Sequence, residues 1–322
     1  MPSDLPPVTL HNGFVIPDEL KRRMLWGGWE SGVRWLERAP EIVREWCERW
    51  DITLAPEVPT LSLNLVLFGS TPEYGQIVLK LSPPHDEVRA EVEATRAASG
   101  PGLVRLIASD PDVSIMLMER VTPGTPLRTL TETGTMGDEE ATRIAASEMQ
   151  KMWVAPPSGH HLFPLDRWFQ ALFTYHEAHP NGGGPIPHHL VELAVSQARE
   201  VLATQRECVV LHGDVHHDNI LADSEHGWTL IDFKGLVGER GYDIGTWMRN
   251  PPDIESWPDL PRVIDRRLDI FAEELGIERT RLWQWAIVHA VLSTCWTLEG
   301  DDYNGDEVVA EILAAMNPFA TG

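Results

Sequence analysis

Two acidic motifs in the second half of the chain carry the residue types best suited to chemistry: residues 212–219 (HGDVHHDN) and residues 231–235 (IDFKG). Asp214 and Asn219 are five residues apart, and Asp232 lies thirteen residues after Asn219. A short apolar run precedes each motif, so we predict that each acid follows a buried strand. Phosphoryl transfer needs such a set. One carboxylate receives or orients the acceptor proton, while a second carboxylate and an amide oxygen hold Mg²⁺ against nucleotide phosphates.

The two motifs resemble the signature of the aminoglycoside phosphotransferases and related small-molecule kinases, which share the protein-kinase-like fold. The run 231–239, followed by 242–245 (YDIG) and 249–251 (RNP), resembles the streptomycin 6-kinase and hydroxyurea phosphotransferase branch. That branch usually has Pro where Phe233 stands. Weaker similarity extends from about residue 35 to residue 302. The resemblance implies an α+β fold with a β-rich N-terminal lobe and a mainly helical C-terminal lobe.

The resemblance also implies a role for each polar residue of the motifs. Asp214 would be the catalytic acid, which accepts or orients the proton of the acceptor hydroxyl. Asn219 and Asp232 would bind Mg²⁺, which prefers hard oxygen ligands and keeps several waters, so that few protein oxygens suffice. The residues expected to support the catalytic loop are His212, His216 and Asp243.

The clustered histidines and Asp218 suggest a second chemistry, that of a zinc hydrolase. The motif lacks a His-x-His-x-Asp-His spacing, however, and no cysteine pair or His-Glu-x-x-His helix supports a zinc site. His217 and Asp218 occupy variable positions in the family and are assigned no role.

The nucleotide contacts are expected in the first part of the chain. By resemblance, Lys80 on the candidate strand 76–81 contacts the α- and β-phosphates and pairs with an acid on the following helix. Glu91 is the first choice for that acid and Glu87, one helical turn earlier, is the second. The backbone after the candidate strand 114–118 would bind adenine. The residues expected at this hinge are Met118, Glu119 and Val121.

The loop that would cover the phosphates has no glycine between residues 61 and 68. Protein kinases use a glycine-rich turn there, because glycine lets the backbone approach the phosphates. Ser62 and Asn64 are the side chains able to offer hydrogen bonds instead. A Walker-type nucleotide site is disfavoured, since no Gly-x-x-x-x-Gly-Lys-Ser/Thr motif is present.

The composition is that of a globular protein. Its 322 residues are enough for one large domain or for two lobes with a shared cleft. They are 43% hydrophobic and 23% charged, which is ordinary for a globular protein. No segment approaches the ~18–20 apolar residues of a membrane span, and the start lacks the features of a signal peptide. Cys47, Cys208 and Cys295 are far apart and form no disulfide framework. We therefore expect a cytoplasmic protein without a membrane partner.

The net charge of −23, from 26 basic and 49 acidic residues, argues against nucleic acid as a partner. The acidity indicates either solubility or attraction of a cationic substrate. Residues 299–322 contain six acids and no Lys or Arg. Glu299, Asp301 and Asp302 directly follow a predicted apolar helix, and they are the candidate residues for binding a cationic acceptor.

Periodicity predicts the remaining elements. These are a helix over 33–50 interrupted near Pro40, a hairpin of strands 61–68 and 76–81 around a turn at 69–75, a helix over 86–98, a turn at 123–126, a helix over 138–153 and a buried helix over 282–298. We therefore divide the chain into an N-terminal lobe, 1–121, and a C-terminal lobe, 122–322.

Together these features predict an ATP-dependent phosphotransferase that moves the γ-phosphoryl group to an alcohol group of a small molecule. A streptomycin-like aminoglycoside is the leading acceptor, by resemblance and by acidity. One alternative is a metabolic sugar or amino-alcohol kinase on the same fold. An alternative of another class is a catalytically silent nucleotide-binding pseudokinase, against which the intact set of Lys80, Asp214, Asn219 and Asp232 argues.

Overall fold

The computed structural model describes residues 8–16, 20, 30–56, 64–85, 87–299 and 307–320. The chain divides into two compact units. The first comprises Met1–Val92 and Val104–Arg120, and the second comprises Glu93–Leu103 and Val121–Gly322. Among the described helices, none is long and apolar enough to cross a membrane.

The described part of the first unit is built on an antiparallel sheet with the strand order β1-β2-β3-β5-β4. Its strands are β1 (Thr53–Leu54), β2 (Leu65–Thr71), β3 (Gly75–Leu81), β4 (Leu106–Asp110) and β5 (Ile115–Glu119). The predicted hairpin is confirmed as β2 and β3. Its turn is tighter than predicted, because β2 continues through Thr71, which pairs with Gly75. The Thr71 hydroxyl then accepts the Tyr74 N–H at 2.9 Å.

The helix α1 (Glu30–Arg49) continues through Pro40, so the predicted interruption at this residue is wrong. Proline removes one backbone donor from a helix. Here the helix packs Leu36, Ala39 and Val43 into the core of the first unit, and this apolar packing on both sides of Pro40 outweighs the lost hydrogen bond. The next helix, α2 (Glu87–Ala97), agrees with the prediction within one residue at each end.

The described part of the second unit contains two three-stranded sheets with the orders β10-β9-β6 and β7-β11-β8. Their strands are β6 (Pro123–Pro126), β7 (Phe163–Pro164), β8 (Cys208–Leu211), β9 (Ile220–Asp223), β10 (Gly227–Leu230) and β11 (Leu236–Glu239). The turn predicted at 123–126 is therefore wrong: this segment pairs with β9, although irregularly, at Pro123 and Pro126.

The two acidic motifs lie in the loops of these sheets. Asp214 and Asn219 lie between β8 and β9, and Asp232 lies between β10 and β11. The strands end two to three residues earlier than the acids, at Leu211 and Leu230. The predicted strand-then-acid order is confirmed, but a short loop separates each strand from its carboxylate.

Helices make up most of the second unit. They are α3 (Leu127–Glu132), α4 (Asp138–Met152), α5 (Leu165–Trp168), α6 (Gln170–Ala178), α7 (His188–Ala203), α8 (Ile244–Met248), α9 (Leu260–Leu275), α10 (Arg279–Glu299) and α11 (Val308–Ala315). The predicted buried helix is confirmed as α10, and its residues from Leu282 to Cys295 are buried. The whole circumference of α10 is therefore covered along these residues.

Candidate active site

The structure brings the two acidic motifs together around one lysine. The Asp214 Oδ2 atom lies 3.2 Å from the Lys234 Nζ atom, and the same Nζ atom lies 3.9 Å from Asp232 Oδ2. The Asp214 side chain is 25% exposed, so one of its edges reaches solvent. A lysine therefore stands between the predicted catalytic carboxylate and a predicted metal ligand.

The loop that carries Asp214 is fixed by Asp243. This carboxylate accepts the backbone N–H groups of Gly213 at 2.8 Å and His212 at 3.3 Å, and the indole N–H of Trp153 at 2.8 Å. Burial raises the pKa of Asp243 to about 6, against the lowering effect of these three donors. Three hydrogen bonds to one buried group leave the loop little freedom.

The ring of His212 connects the two motif loops. Its Nδ1 atom accepts the Asp214 N–H at 3.2 Å, and its Nε2 atom lies 2.9 Å from the Ile231 carbonyl oxygen. Because a carbonyl only accepts, Nε2 carries the proton of the neutral ring. Burial lowers the pKa of His212 to about 4, in agreement with a neutral histidine that supports the loop.

The ring of His216 faces the catalytic carboxylate. Its Nδ1 atom accepts the Asp218 N–H at 3.2 Å, so in the neutral ring Nε2 carries the proton. That Nε2 atom lies 3.9 Å from Asp214 Oδ2, too far for a direct hydrogen bond. His216 thus adds a polar neighbour to Asp214 on the side of its own loop.

Asn219 and Asp232 have the chemistry of a Mg²⁺ site. The Asn219 amide nitrogen donates to the Asp214 carbonyl at 3.0 Å, so the atom it would offer to a metal is its amide oxygen. Asp232 has a left-handed backbone with φ 68°, a conformation that Asp adopts more readily than most residues. One amide oxygen and one partly exposed carboxylate are hard donors that fit Mg²⁺.

In the first unit, the Lys80 ammonium donates to the Glu91 carboxylate, and the two side chains are only 7% and 11% exposed. Lys80 lies on β3, the central strand, and Glu91 lies on α2. Of the two acids considered from the sequence, the structure pairs Glu91, and not Glu87, with this lysine.

The residues expected at adenine lie at the end of β5 and just beyond. Met118 and Glu119 belong to β5, and Val121 is the first residue of the second segment of the second unit. The Glu119 N–H donates to the Arg105 carbonyl at 3.1 Å, and its carboxylate accepts the Arg105 N–H at 2.9 Å. The backbone donor of Glu119 is therefore used within the sheet, and contacts of this segment with adenine stay a prediction.

Three predicted residues lie outside the described part of the chain: Ser62, Asp301 and Asp302. Glu299 is the last residue of α10, but its side chain is not among those described. Asn64 is described; it is half-buried and directly precedes β2. Their roles at the phosphates and at the acceptor stay predictions.

Sequence reasoning missed Lys234, although the residue lies inside the second motif. Burial raises the pKa of Asp214, but the charges of Lys234, His216 and His212 outweigh it and hold this pKa below its usual value. A signal was present: a lysine two residues after a candidate metal ligand, in a loop expected to meet another acidic loop. Trp153 was also missed, and no local pattern indicates its bond to Asp243.

Comparison with protein families assigns the chain. The sequence model described as "Aminoglycoside/hydroxyurea antibiotic resistance kinase" matches residues 49–300. The chain belongs to this family. A member of the aminoglycoside/hydroxyurea kinase family is a phosphotransferase with an alcohol group as acceptor, so the zinc hydrolase alternative is excluded.

Two curated relatives cover most of this kinase. Streptomycin 6-kinase of Streptomyces griseus is 28% identical over 300 residues, which cover 88% of this chain and 91% of that protein. Streptomycin 3''-kinase of Klebsiella pneumoniae is 34% identical over 226 residues, which cover 69% of this chain and 79% of that protein.

A solved structure confirms the predicted fold. It is a thermostable mutant of an aminoglycoside phosphotransferase in a ternary complex with ADP and hygromycin B, with a TM-score of 0.59 at 12% identity. The match covers 87% of this chain and 100% of that chain. The fold is therefore protein-kinase-like, with a β-sheet in its N-terminal part and helices in most of its C-terminal part.

Proposed function

We propose that this kinase transfers the γ-phosphoryl group of ATP to a hydroxyl group of a streptomycin-like aminoglycoside. The observation that carries the proposal is the convergence of Asp214, Lys234 and Asp232, with Nζ–Oδ2 distances of 3.2 and 3.9 Å. The streptomycin kinases among its relatives support the acceptor class.

Asp214 addresses the acceptor hydroxyl in this proposal. Its pKa lies below the usual value for Asp, so the carboxylate is ionised at neutral pH and can accept a hydrogen bond from the hydroxyl. The positioned carboxylate orients the oxygen toward the phosphoryl group and receives its proton as the new bond forms. The hydrogen bond from the Gly213 N–H to the Asp243 carboxylate keeps the Asp214 loop in place.

Lys234 keeps the Asp214 carboxylate ionised in this proposal. Its ammonium group lies against Oδ2 of Asp214 and favours the charged form, while the other carboxylate oxygen is left to meet the hydroxyl. The side chain of Lys234 is 36% exposed, so it also places a positive charge at the rim where phosphate oxygens arrive. We assign Lys234 as a positioning residue for Asp214.

The nucleotide is bound by two groups of residues in this proposal. Lys80, fixed by Glu91, holds the α- and β-phosphates. Asn219 and Asp232 hold Mg²⁺, which when bound neutralises phosphate charge and favours transfer. The predicted adenine contacts of Met118, Glu119 and Val121 complete the nucleotide site.

An acceptor panel tests the proposed function. Purified enzyme with ATP and Mg²⁺ is given streptomycin, hydroxyurea, choline or glucose, and phosphorylated product is detected by mass spectrometry. We expect phosphorylated streptomycin, and none with an Asp214→Asn control. Product from choline or glucose alone would favour the metabolic kinase, and ATP binding without any product would favour the pseudokinase.

A Mg²⁺ titration tests the metal ligands. The change is Asp232→Ala, and the matched control is Asp218→Ala, which removes a carboxylate that is 41% exposed on the neighbouring loop. We expect Asp232→Ala to shift half-maximal activity to much higher Mg²⁺, because one of few protein ligands is lost, and Asp218→Ala to follow the wild-type curve. Superimposable curves for Asp232→Ala and wild type would show that Asp232 is not a ligand.

A further inference from the structure

The backbone of Lys234 is fixed on both sides. Its N–H donates to the His212 carbonyl at 2.8 Å, and the carbonyl of the next residue, Gly235, accepts the Phe163 N–H at 2.9 Å. The ammonium group stands at the end of a flexible four-carbon stem, and the side chain is 36% exposed. The ammonium group is therefore the part of Lys234 that can move.

Gly213 lets the loop of Lys234 come close to the catalytic loop. A β-carbon at Gly213 would lie 3.2 Å from the Lys234 Cβ atom and 2.6 Å from the Leu236 Cδ1 atom. Gly213 also has a φ of +78°, a backbone conformation that glycine adopts without strain. The residue before Asp214 thus brings the stem of Lys234 against the catalytic loop, within reach of the Asp214 carboxylate.

The two predicted metal ligands are also fixed at the backbone. The Asn219 N–H donates to the His216 carbonyl at 3.0 Å, and the Asn219 carbonyl accepts the Ile231 N–H at 3.0 Å. Asp232 directly follows Ile231, and its side chain is 31% exposed. The backbones that carry the ligand oxygens therefore have little freedom to move away from the ammonium group of Lys234.

This ammonium group lies close to the place where a metal ion would bring its charge. It is 3.2 Å from Asp214 Oδ2 and 3.9 Å from Asp232 Oδ2. Two cations a few ångströms apart repel each other strongly in a partly buried site, where water screens them poorly. A divalent ion on Asp232 is therefore disfavoured while the ammonium group stays on the two carboxylates. ATP brings anionic oxygens that can take the ammonium group over.

We propose that Lys234 is an internal cation that competes with Mg²⁺ for the Asp232 carboxylate and moves to phosphate oxygens when the nucleotide binds. The enzyme without nucleotide then binds Mg²⁺ weakly, and it binds the metal together with ATP. The inference rests on the proposed function, whose metal ligand it uses. It adds that Lys234 couples the two ligands, so that each raises the affinity for the other.

Binding of Mn²⁺ to the enzyme without nucleotide tests the competition, since Mn²⁺ takes the same oxygen ligands as Mg²⁺. Electron paramagnetic resonance measures free Mn²⁺ in titrations of wild type, Lys234→Met and Lys234→Arg. We expect the dissociation constant of Lys234→Met to be about 10-fold lower than that of wild type, a moderate coupling. Lys234→Arg keeps the charge and should stay near wild type. Equal or weaker binding in Lys234→Met overturns the inference, as does a lack of detectable Mn²⁺ binding to either enzyme.

Two further variants locate the effect. Arg128→Met removes a guanidinium group that is 33% exposed and lies 3.4 Å from Asp218 on the catalytic loop. Its Mn²⁺ affinity should stay near wild type, and a gain equal to that of Lys234→Met would reveal a general effect of net charge and overturn the inference. The double variant Lys234→Met/Asp232→Asn should lose the gain. A gain that persists without the Asp232 carboxylate would likewise overturn it.

ATP without metal should show the opposite change. Calorimetry with ATP in excess EDTA measures phosphate binding in the absence of a divalent ion. We expect Lys234→Met to bind this ATP about 3- to 10-fold more weakly than wild type, because the phosphate oxygens lose an ammonium group. A merely structural loss would weaken the binding of Mn²⁺ and of ATP alike. Unchanged affinity for metal-free ATP would show that the ammonium group does not move to phosphate, and would overturn the inference.

The failure of this inference can be told apart from failure of the proposed function, because Mn²⁺ binding requires neither an acceptor nor turnover. If wild type phosphorylates streptomycin and Lys234→Met binds Mn²⁺ as wild type does, the inference fails and the function stands. If Lys234→Met shows both expected changes and no acceptor of the panel is phosphorylated, the acceptor assignment fails and the inference stands.

Discussion

The two units of this kinase each contain a lysine–carboxylate pair, and the two pairs differ in burial. Lys80 and Glu91 are 7% and 11% exposed, whereas Lys234 and Asp214 are 36% and 25% exposed. The first pair joins a strand to a helix, and the second joins two loops. These two pairs thus place the same ionic chemistry in the interior of the first unit and nearer the surface of the second.

The difference in burial implies different roles for the two lysine ammonium groups. A buried ion pair whose partner is removed leaves an uncompensated charge in a poorly solvated place, which is strongly destabilising. An exposed pair contributes about 0–1 kcal/mol to stability, but it still sets the charge of its carboxylate. We infer that Lys80–Glu91 holds one geometry, while Lys234 can share its charge among Asp214, Asp232 and an arriving phosphate.

The largest effect is expected at the carboxylate of the exposed pair. Asp214→Asn keeps the shape of the side chain and removes its ability to accept a proton, so kcat should fall by about 10²–10⁴-fold. ATP affinity and Tm should change little, because the pair is partly exposed. Steady-state kinetics and calorimetry check this, with Asp218→Asn as the control on the same loop. An Asp214→Asn enzyme within about threefold of wild-type kcat would remove Asp214 from the mechanism.

A change in the buried pair should lower stability, whereas the change at Asp214 should lower kcat and leave Tm nearly unchanged. Glu91→Gln removes the carboxylate that the Lys80 ammonium contacts, and the free energy of unfolding should fall by about 2 kcal/mol, the size of a hydrogen bond between charged groups. The KM for ATP should rise as well, since Lys80 loses its fixed position. Denaturant titration and ATP kinetics measure both effects. The control is Glu87→Gln, on the first turn of the same helix, and equal stability losses in the two variants would contradict the special role of Glu91.

A smaller effect is expected at the lysine of the exposed pair. Lys234→Met should lower kcat by roughly 10- to 100-fold, the size of one charge-assisted hydrogen bond. Without this ammonium, burial should raise the pKa of Asp214, so the acidic limb of the kcat/KM profile should move to higher pH. Lys234→Arg keeps the charge and should keep the limb near its wild-type place. An unmoved limb in Lys234→Met would show that Lys234 does not set the ionisation of Asp214.

The family resemblance implied that Lys80 pairs with an acid on the following helix, and periodicity predicted the strand β3 and the helix α2 that carry the two residues. The sequence left Glu91 and Glu87 as first and second choice, and the structure decided between them. The same logic found α10, whose apolar residues surround the helix. The prediction from periodicity was wrong at Pro40, because packing outweighs the loss of a backbone hydrogen bond there. The turn predicted at residues 123–126 was also wrong, because this proline-containing segment pairs with a strand distant in sequence.

The exposed pair depends on tertiary contacts that no local pattern encodes. Lys234 meets Asp214 because Asp243 and His212 hold two loops against each other. The motif spacing predicted which acids matter, while the cation between them required the fold.

The buried His217 extends the comparison, because its ring nitrogens have no hydrogen-bond partner within the described residues. The ring stacks on Trp247, with centroids 3.9 Å apart and an interplanar angle of 16°. Burial lowers its pKa from 6.5 to about 2, and the nearby Arg267 adds to this effect. Lys80 keeps its charge beside the Glu91 carboxylate, whereas His217 avoids the cost of a lone buried charge by remaining neutral.

The smallest expected effect follows from this neutrality. In the unfolded chain His217 is protonated below about pH 6.5, but in the folded protein it is not, so its contribution to stability is present above that pH and is lost as the pH falls. The loss approaches about 1.4 kcal/mol per pH unit well below pH 6.5. His217→Phe keeps an aromatic ring on Trp247 and cannot be protonated. Compared with wild type, it should therefore lose about 1 kcal/mol less between about pH 6.5 and about pH 5.5, because His217 of the unfolded chain is already half protonated at the upper pH. Denaturant titrations at the two pH values measure this, with the exposed His188→Phe as control. Equal losses in His217→Phe and wild type would mean that His217 is protonated in the folded state, and that the burial of a lone charge is tolerated beside the catalytic loop.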